Sequence, residues 1–504
     1  MGEAVVALRK QTVSLCMIVR NEERNLSDCL QPVASLFDEI IIVDTGSQDG
    51  TRQIAARFTD CIFDFPWCDD FSAARNESLK QARGQWIFWL DADDRIRPEH
   101  AERLRDLFGR LSDQPQTYFM DTVLHGPYES EGPRLLSHPR LIHRHPSLHW
   151  RGRVHEQLQP DLTQLGYEVA WSDVRIDHLG YKDSALRQRK LQRDIRLLRM
   201  DYAVDPNEAS TLLHLGLAYT ELGNHGEARK HLRRLLADES CSWNCLERAY
   251  RALADMALRD GNPEDALRIL DRGLSKFPQD EALLYSQANI CFELGRYDAA
   301  ALCLRQILAA NERREHYAVA SDLRRKLAPR KLADVFRMQQ RYDQAERILR
   351  AILQDFPYDT HTWYGLGCIY GDTRQKEQLD GVVKRLPACP DGELFAGVLL
   401  ASWHLRQTDF EPAGSIIDEL ISKIPHAALP RLLRCQWLDL RRAPLEARLQ
   451  ACRDLLRVQP GNPEAVAALQ VLENARSTVS ASVRPTWCSS VVVSAGVPIE
   501  AGVA

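Results

Sequence analysis

The sequence predicts two folds in series: an α/β layer built on short buried strands, then an all-helical solenoid. Three observations carry this expectation. Up to about residue 200, apolar runs rich in β-branched and aromatic residues alternate with helix-patterned segments. Beyond it, Ala, Leu and Arg dominate with helical spacing, and strand-like runs become scarce. That second half also repeats itself at a near-constant interval.

Three runs define the front layer: Ser14 to Val19, Ile40 to Val43 and Trp86 to Leu90. Each is short and nearly continuous in apolar residues, as a strand covered on both faces must be. Between them Asn25 to Phe37, Thr51 to Phe58 and Ala73 to Ala82 read as helices. Strand and helix in alternation imply a doubly wound sheet.

In the second half, small residues sit in leucine-rich helices at Gly216, Ala254, Ala288, Ala333, Gly367 and Ala401, with gaps of 38, 34, 45, 34 and 34. Twelve residues after most of them comes an alanine: Ala228, Ala266, Ala300, Ala345 and Ala413. Leu379 stands at that offset after Gly367, so this unit is degenerate. Pro278, Pro357 and Pro425 close several units, where a second helix must stop. The pattern resembles the tetratricopeptide repeat, in which small residues mark the touching points of paired helices. Such stacks bury a continuous core and expose a concave groove.

The residues just past each strand carry the chemistry. The first strand ends in Arg20-Asn21-Glu22, the second in Asp44-Thr45-Gly46-Ser47, the third in Asp91-Ala92-Asp93-Asp94. Ligands of open α/β sheets bind at this carboxyl edge. Residues i and i+2 leaving a strand project to one side, so Asp91 and Asp93 can converge. Hard oxygen ligands of that kind suit Mg²⁺ or Mn²⁺. Gly46 and Gly50 read as a tight turn, with Asp49 or Thr51 capping the next helix.

Residues 12 to about 100 resemble a family 2 glycosyltransferase with the GT-A fold, a Rossmann-like nucleotide-sugar-binding domain. The matching stretches are SLCMIVRNEERNLSDCL, FDEIIIVDTGSQDGT and DDFSAARNESLKQARGQWIFWLDADDRI. DDFSAARN with a later WRGRVHEQL is similar to a bacterial branch that often carries tetratricopeptide repeats and includes lipopolysaccharide-core glucosyltransferase relatives and peptide S-glycosyltransferases. The resemblance implies donor-binding roles for Arg20, Asn21, Glu22, Asp44, Arg75 and Asn76, and a metal-binding role for Asp91 and Asp93. Thr45 departs from the family pattern, which often has an aspartate there, and receives no role. Family 2 members usually invert the anomeric centre, so one base and no covalent intermediate would suffice. The donor it implies is a nucleotide sugar, UDP-linked by preference. The acceptor would be a peptide, a protein or a glycan.

Seven of the 15 histidines fall between His125 and His178: 125, 138, 143, 145, 149, 155 and 178. Trp150 to Glu156 gathers an aromatic, two arginines, a histidine and a carboxylate. By resemblance Glu156 is the expected base, with Asp121 in reserve. His155 would complete the metal site or touch the diphosphate. His178 lines the pocket, packs in the core or caps a helix. Trp86 and Trp89 read as core.

A net charge of −5 argues against a domain devoted to gripping nucleic acid. No apolar run approaches the roughly 18 residues of a membrane span. The 13 cysteines form no CxxC pair, and MGEAVVALRKQT lacks the features of a signal peptide, so a reduced, cytoplasmic protein is expected. The organisation expected is an extension over 1–11, the transferase domain over 12–200, repeats over 201–475 and a low-complexity, disordered tail over 476–504. The repeats would bind the acceptor or pair two copies of the chain. The competing reading is an interaction scaffold whose front domain binds nucleotide without turnover; the intact DxD, AARN and HE elements weigh against it.

Overall fold

A computed structural model describes residues 11–124, 134–162, 164–179, 184–238, 241–309, 323–459 and 462–477. Most of the N-terminal extension, His125 and nearly all of the expected tail lie outside the described residues. The chain forms two compact units, which divide between Leu253 and Ala254.

The first unit is built on a sheet of eight strands. They are β1 (Val13–Val19), β2 (Glu39–Asp44), β3 (Ile62–Asp64), β4 (Trp86–Trp89), β5 (Asp94–Arg95), β6 (Gln116–Leu124), β7 (Arg134–His143) and β10 (Glu168–His178), and β8 (His149–Arg151) with β9 (Gln157–Gln159) makes a separate hairpin. The order is β3-β2-β1-β4-β7-β6-β10-β5. The three strands read from the sequence fall where expected and run parallel, with β1 between β2 and β4. The sheet is mixed rather than wholly parallel, because β7 pairs antiparallel with both β4 and β6. Alternation sorts β1 between two cores: Val13, Leu15, Met17 and Val19 enter one, and Cys16 enters another with Ile41 and Ile87.

The helices of this layer are α1 (Leu26–Leu30), α2 (Thr51–Ala55), α3 (Phe71–Gln81) and α4 (Pro98–Phe108). The stretch read as one helix over Asn25 to Phe37 is instead α1 followed by a separate 3-10 turn at Ala34–Leu36. Asp70 caps α3, accepting the Ala73 N–H at 3.0 Å, which starts this helix earlier than its apolar pattern suggests. After β10 come α5 (Ser184–Val204), α6 (Ala209–Glu221) and α7 (His225–Leu236). A Cβ on Gly216 would lie 2.5 Å from Leu232, so only glycine lets α6 and α7 approach this closely.

The second unit continues in hairpins of helices. Helix α8 (Trp243–Arg259) spans the division, and α9 (Pro263–Lys276), α10 (Glu281–Glu293), α11 (Tyr297–Ala309), α12 (Ala328–Met338) and α13 (Tyr342–Asp355) come after it. Then come α14 (Thr360–Asp372), α15 (Lys376–Arg385), α16 (Gly392–Arg406), α17 (Phe410–Lys423), α18 (Ala428–Leu440), α19 (Leu445–Val458) and α20 (Pro463–Ser477). All six anchor positions and all five inner alanines are buried. The degenerate unit still folds as the pair α14 and α15, with Leu379 buried in place of the inner alanine. Pro278, Pro357 and Pro425 each fall two residues past the end of α9, α13 and α17. No helix among the described residues is long and apolar enough to cross a membrane.

Candidate active site

The carboxyl edge of the parallel strands is laced together before any ligand is considered. Asn21 has a left-handed backbone (φ 56°) just past β1. Its N–H donates to Ser47 Oγ at 3.0 Å, and its Oδ1 accepts the Gln48 N–H at 2.8 Å. The Glu22 N–H donates to Thr51 Oγ1 at 2.7 Å. Buried Asp44 shapes the turn after β2: its Oδ1 accepts the Gly46 and Ser47 N–H groups at 3.2 and 2.9 Å. Arg20 is exposed at the end of β1.

Beyond β4 the chain turns through Asp91, Asp93 and Asp94, and short β5 lies antiparallel to β10, with His178 opposite Asp94. Ligand atoms of Asp91, Asp93, Asp94 and His178 fall within 4.8 Å of one another. Asp94 orients the rest. It accepts from His178 Nδ1 at 2.9 Å, from the Asp91 N–H at 3.0 Å and from Arg140 Nη1 at 2.9 Å. The neutral tautomer that donates through Nδ1 leaves Nε2 with the lone pair, the arrangement found in metal-binding histidines.

The charges are crowded. Burial pushes the Asp93 carboxyl above its ordinary range, and neighbouring Asp91 and Asp94 add to this against the pull of His178. Glu22 is also raised by burial, opposed by its bond from Asn25 and reinforced by the charge of Asp93. For His178, burial pulls the imidazole down, but the bond to Asp94 and the surrounding carboxylates carry it above its usual value. Hard carboxylate oxygens gathered beside one imidazole form a donor set that fits Mg²⁺ or Mn²⁺.

One guanidinium joins this cluster to the expected base. Arg75, on α3, donates from Nη2 to Asp91 Oδ1 and from Nε to Glu156 Oε1, both at 2.9 Å. Its guanidinium lies against two indoles that meet edge to face, 4.8 Å from the Trp89 ring centroid and 5.3 Å from that of Trp150. Arg140 also lies over the Trp89 ring, 3.8 Å from its centroid. Asn76, one residue on, gives both ends of its amide to the Trp150 backbone at 2.8 and 2.7 Å, tying α3 to β8.

Three expectations need correction. His155 does not join the carboxylates; its ring stacks on His214 of α6, centroids 4.1 Å apart and planes 12° from parallel. The imidazole of the cluster is His178. Asp121 bonds Ser137 Oγ at 2.7 Å, on the face of β6 opposite Thr122, and it is Thr122 that reaches Arg140. Trp89 is not plain core but a half-buried ring contacted by two arginines. Arg140 and the orienting role of Asp94 carried no local signal beyond the extra aspartate after the triplet.

This fold and edge define a GT-A transferase domain with a candidate divalent-metal cluster, followed by helical repeats. Residues 14–155 match the glycosyl transferase family 2 model, and residues 210–239, 257–327 and 331–357 match tetratricopeptide repeat models. Residues 14–155 thus form a glycosyltransferase family 2 domain, and tetratricopeptide repeats follow it. It is 33% identical over 229 residues to a TPR repeat-containing protein of Synechococcus elongatus, covering 44% of this chain and 56% of that one. It is 27% identical over 227 residues to the SPbeta prophage-derived glycosyltransferase SunS of Bacillus subtilis, covering 44% and 53%. The chain thus spans about half the length of the curated relatives it matches. Among solved structures, a tetratricopeptide repeat protein from Parabacteroides merdae superposes with a TM-score of 0.38 at 20% identity, over 47% of this chain and 88% of that one.

Proposed function

We propose that the protein is a metal-dependent, inverting glycosyltransferase that moves a sugar from a nucleotide-sugar donor, UDP-linked by preference, to a peptide, protein or glycan acceptor. The observation that carries this reading is the gathering of Asp91, Asp93 and His178 at the sheet's carboxyl edge, joined through Arg75 to Glu156.

Asp91, Asp93 and His178 would hold Mg²⁺ or Mn²⁺, which supplies Lewis-acid stabilisation to the nucleoside diphosphate that leaves. Glu156 takes the acceptor's proton as the acceptor atom bonds to the anomeric carbon and the bond from that carbon to the phosphate oxygen breaks. Arg75 holds Glu156 Oε1 and so sets the distance between base and metal ligand. Arg20 and Glu22 contact the donor, while Asn21, Asp44 and Asn76 act on it through the backbone they keep in place. The repeats recognise the acceptor or a second copy of the chain, and the protein works in the cytoplasm.

The test is a panel of nucleotide sugars incubated with the protein and Mn²⁺, with and without acceptor peptides, scored for released nucleotide. Release from a UDP-sugar is expected. No release from any donor in any combination would sink the enzymatic reading and leave the nucleotide-binding scaffold.

A further inference from the structure

The segment that carries Glu156 is not held by the transferase layer alone. Between β8 and β9 the backbone is left-handed at Gly152 (φ 100°) and again at His155 (φ 55°). Glycine adopts this conformation freely, whereas a residue with a Cβ does so only when its surroundings insist. The surroundings here come from α5 and α6. The Arg153 N–H donates to Asp201 Oδ2 at 2.9 Å, and its guanidinium pairs with the same carboxylate at 3.2 Å. Gln157 Nε2 reaches Ser210 Oγ at 3.3 Å. The His155 ring, at the strained position itself, lies flat on His214.

His214 is a fixed surface. It is 5% exposed, and its Nδ1 lies 2.8 Å from the Ser210 carbonyl one turn back, so that nitrogen carries the proton. Glu156 is the next residue after His155. Any relaxation of the His155 backbone therefore swings the Glu156 carboxylate away from Arg75.

We infer that His214, on the first helix of the repeat region, is a positioning residue for Glu156: its ring sets His155, and His155 sets the carboxylate against Arg75. This rests on the reading of Glu156 as the base. On this view the first repeat helix completes the catalytic site, and the transferase layer without α6 lacks a correctly placed base.

The experiment compares the full chain with His214→Ala and His214→Phe, the second keeping a flat ring in the stack. Three quantities are read: hydrogen exchange of the segment 151–158, kcat at saturating donor, and Mn²⁺ affinity by calorimetry. Thermal melting checks that each variant is folded. In His214→Ala the segment should lose protection and kcat should fall on the order of 10- to 100-fold, with Mn²⁺ affinity unchanged; His214→Phe should restore most of both losses. Unchanged protection in a folded His214→Ala protein overturns the inference. Lost protection with full turnover overturns it too, and places the fault in Glu156 as base rather than in the brace. If His214→Ala does not fold, His214→Phe with low protection and low kcat is the overturning result. The exchange measurement reads the brace even if no donor is turned over.

Discussion

Arg140 and Asp94 are ion-paired at 2.9 Å with only 2% and 0% of their side chains exposed. The pair lies directly beneath the Asp91 turn, since Asp94 Oδ2 also accepts the Asp91 N–H. Breaking one partner strands a charge in the interior, at a cost of about 3–5 kcal/mol. Arg140→Met should lose that much in denaturant unfolding. The double variant Arg140→Met with Asp94→Leu should regain part of the stability but not Mn²⁺ binding, because the turn and His178 are no longer oriented. Full Mn²⁺ affinity in the double variant would deny Asp94 its orienting role.

The metal assignment turns on Asp91 and Asp93. Either Asp91→Asn or Asp93→Asn should weaken Mn²⁺ at least about 10-fold and abolish nucleotide release while leaving the melting temperature near that of the parent. A chelator should stop release by the parent protein, and Mn²⁺ should restore it. Turnover that survives in both variants refutes the assignment.

Arg75 bridges two carboxylates with two different nitrogens, a geometry that an ammonium group cannot reproduce. Arg75→Lys keeps the charge and loses the fork, and with it the planar guanidinium that lies against Trp89 and Trp150. A drop in kcat on the order of 100-fold is expected. Steady-state kinetics in which only KM changes would mean that Arg75 serves binding rather than placement.

The stacked histidines make the loop sensitive to acid. Burial lowers both imidazoles below the ordinary value of 6.5. For His155 the charges of Asp194 and Glu156 oppose this while Arg248 and Arg193 add to it; for His214 the other ring and Arg248 add further. A lowered folded value means that the unfolded chain binds the extra proton more readily, so stability is complete above pH 6.5 and is lost as the pH falls below it. Protection of the 151–158 segment should decline on that acid limb. Replacing both rings with Phe should flatten it; an identical decline in the double variant would assign the limb to other groups.

Glycines in the repeats differ sharply in what they tolerate. A Cβ on Gly392 would lie 1.6 Å from the Leu386 carbonyl oxygen, and backbone cannot step aside, so Gly392→Ala should fold poorly. On Gly367 it would meet Leu399 Cδ1 at 2.3 Å, a flexible tip, so Gly367→Ala should cost about 1–3 kcal/mol. Gly381 has nothing within 4 Å, and Gly381→Ala should gain about 0.5–1 kcal/mol. Thermal unfolding of the three variants should rank in that order.

Much of this was readable in one dimension, for reasons of range. Strand identity, the collection of acids after β4 and the period of the repeats all depend on neighbours within a few residues. Buried strands need continuous apolar runs, and touching helices need small residues at fixed offsets. Leu379 shows the limit of such rules: a larger side chain at an alanine position is buried without ending the hairpin.

Which groups meet across the site depended on contacts that sequence spacing does not encode. His178 joins the cluster because β10 returns antiparallel to two-residue β5, and it stands 84 positions from the Asp94 it bonds. Arg75 and Glu156 are 81 positions apart, brought together by the Asn76 link to β8. His155, adjacent to the proposed base, was drawn instead to a repeat helix, because a left-handed turn aims its ring there. Local chemistry specifies which side chains are available at an edge. Chain crossing and backbone handedness decide which of them face one another, since both arise only when distant strands pair.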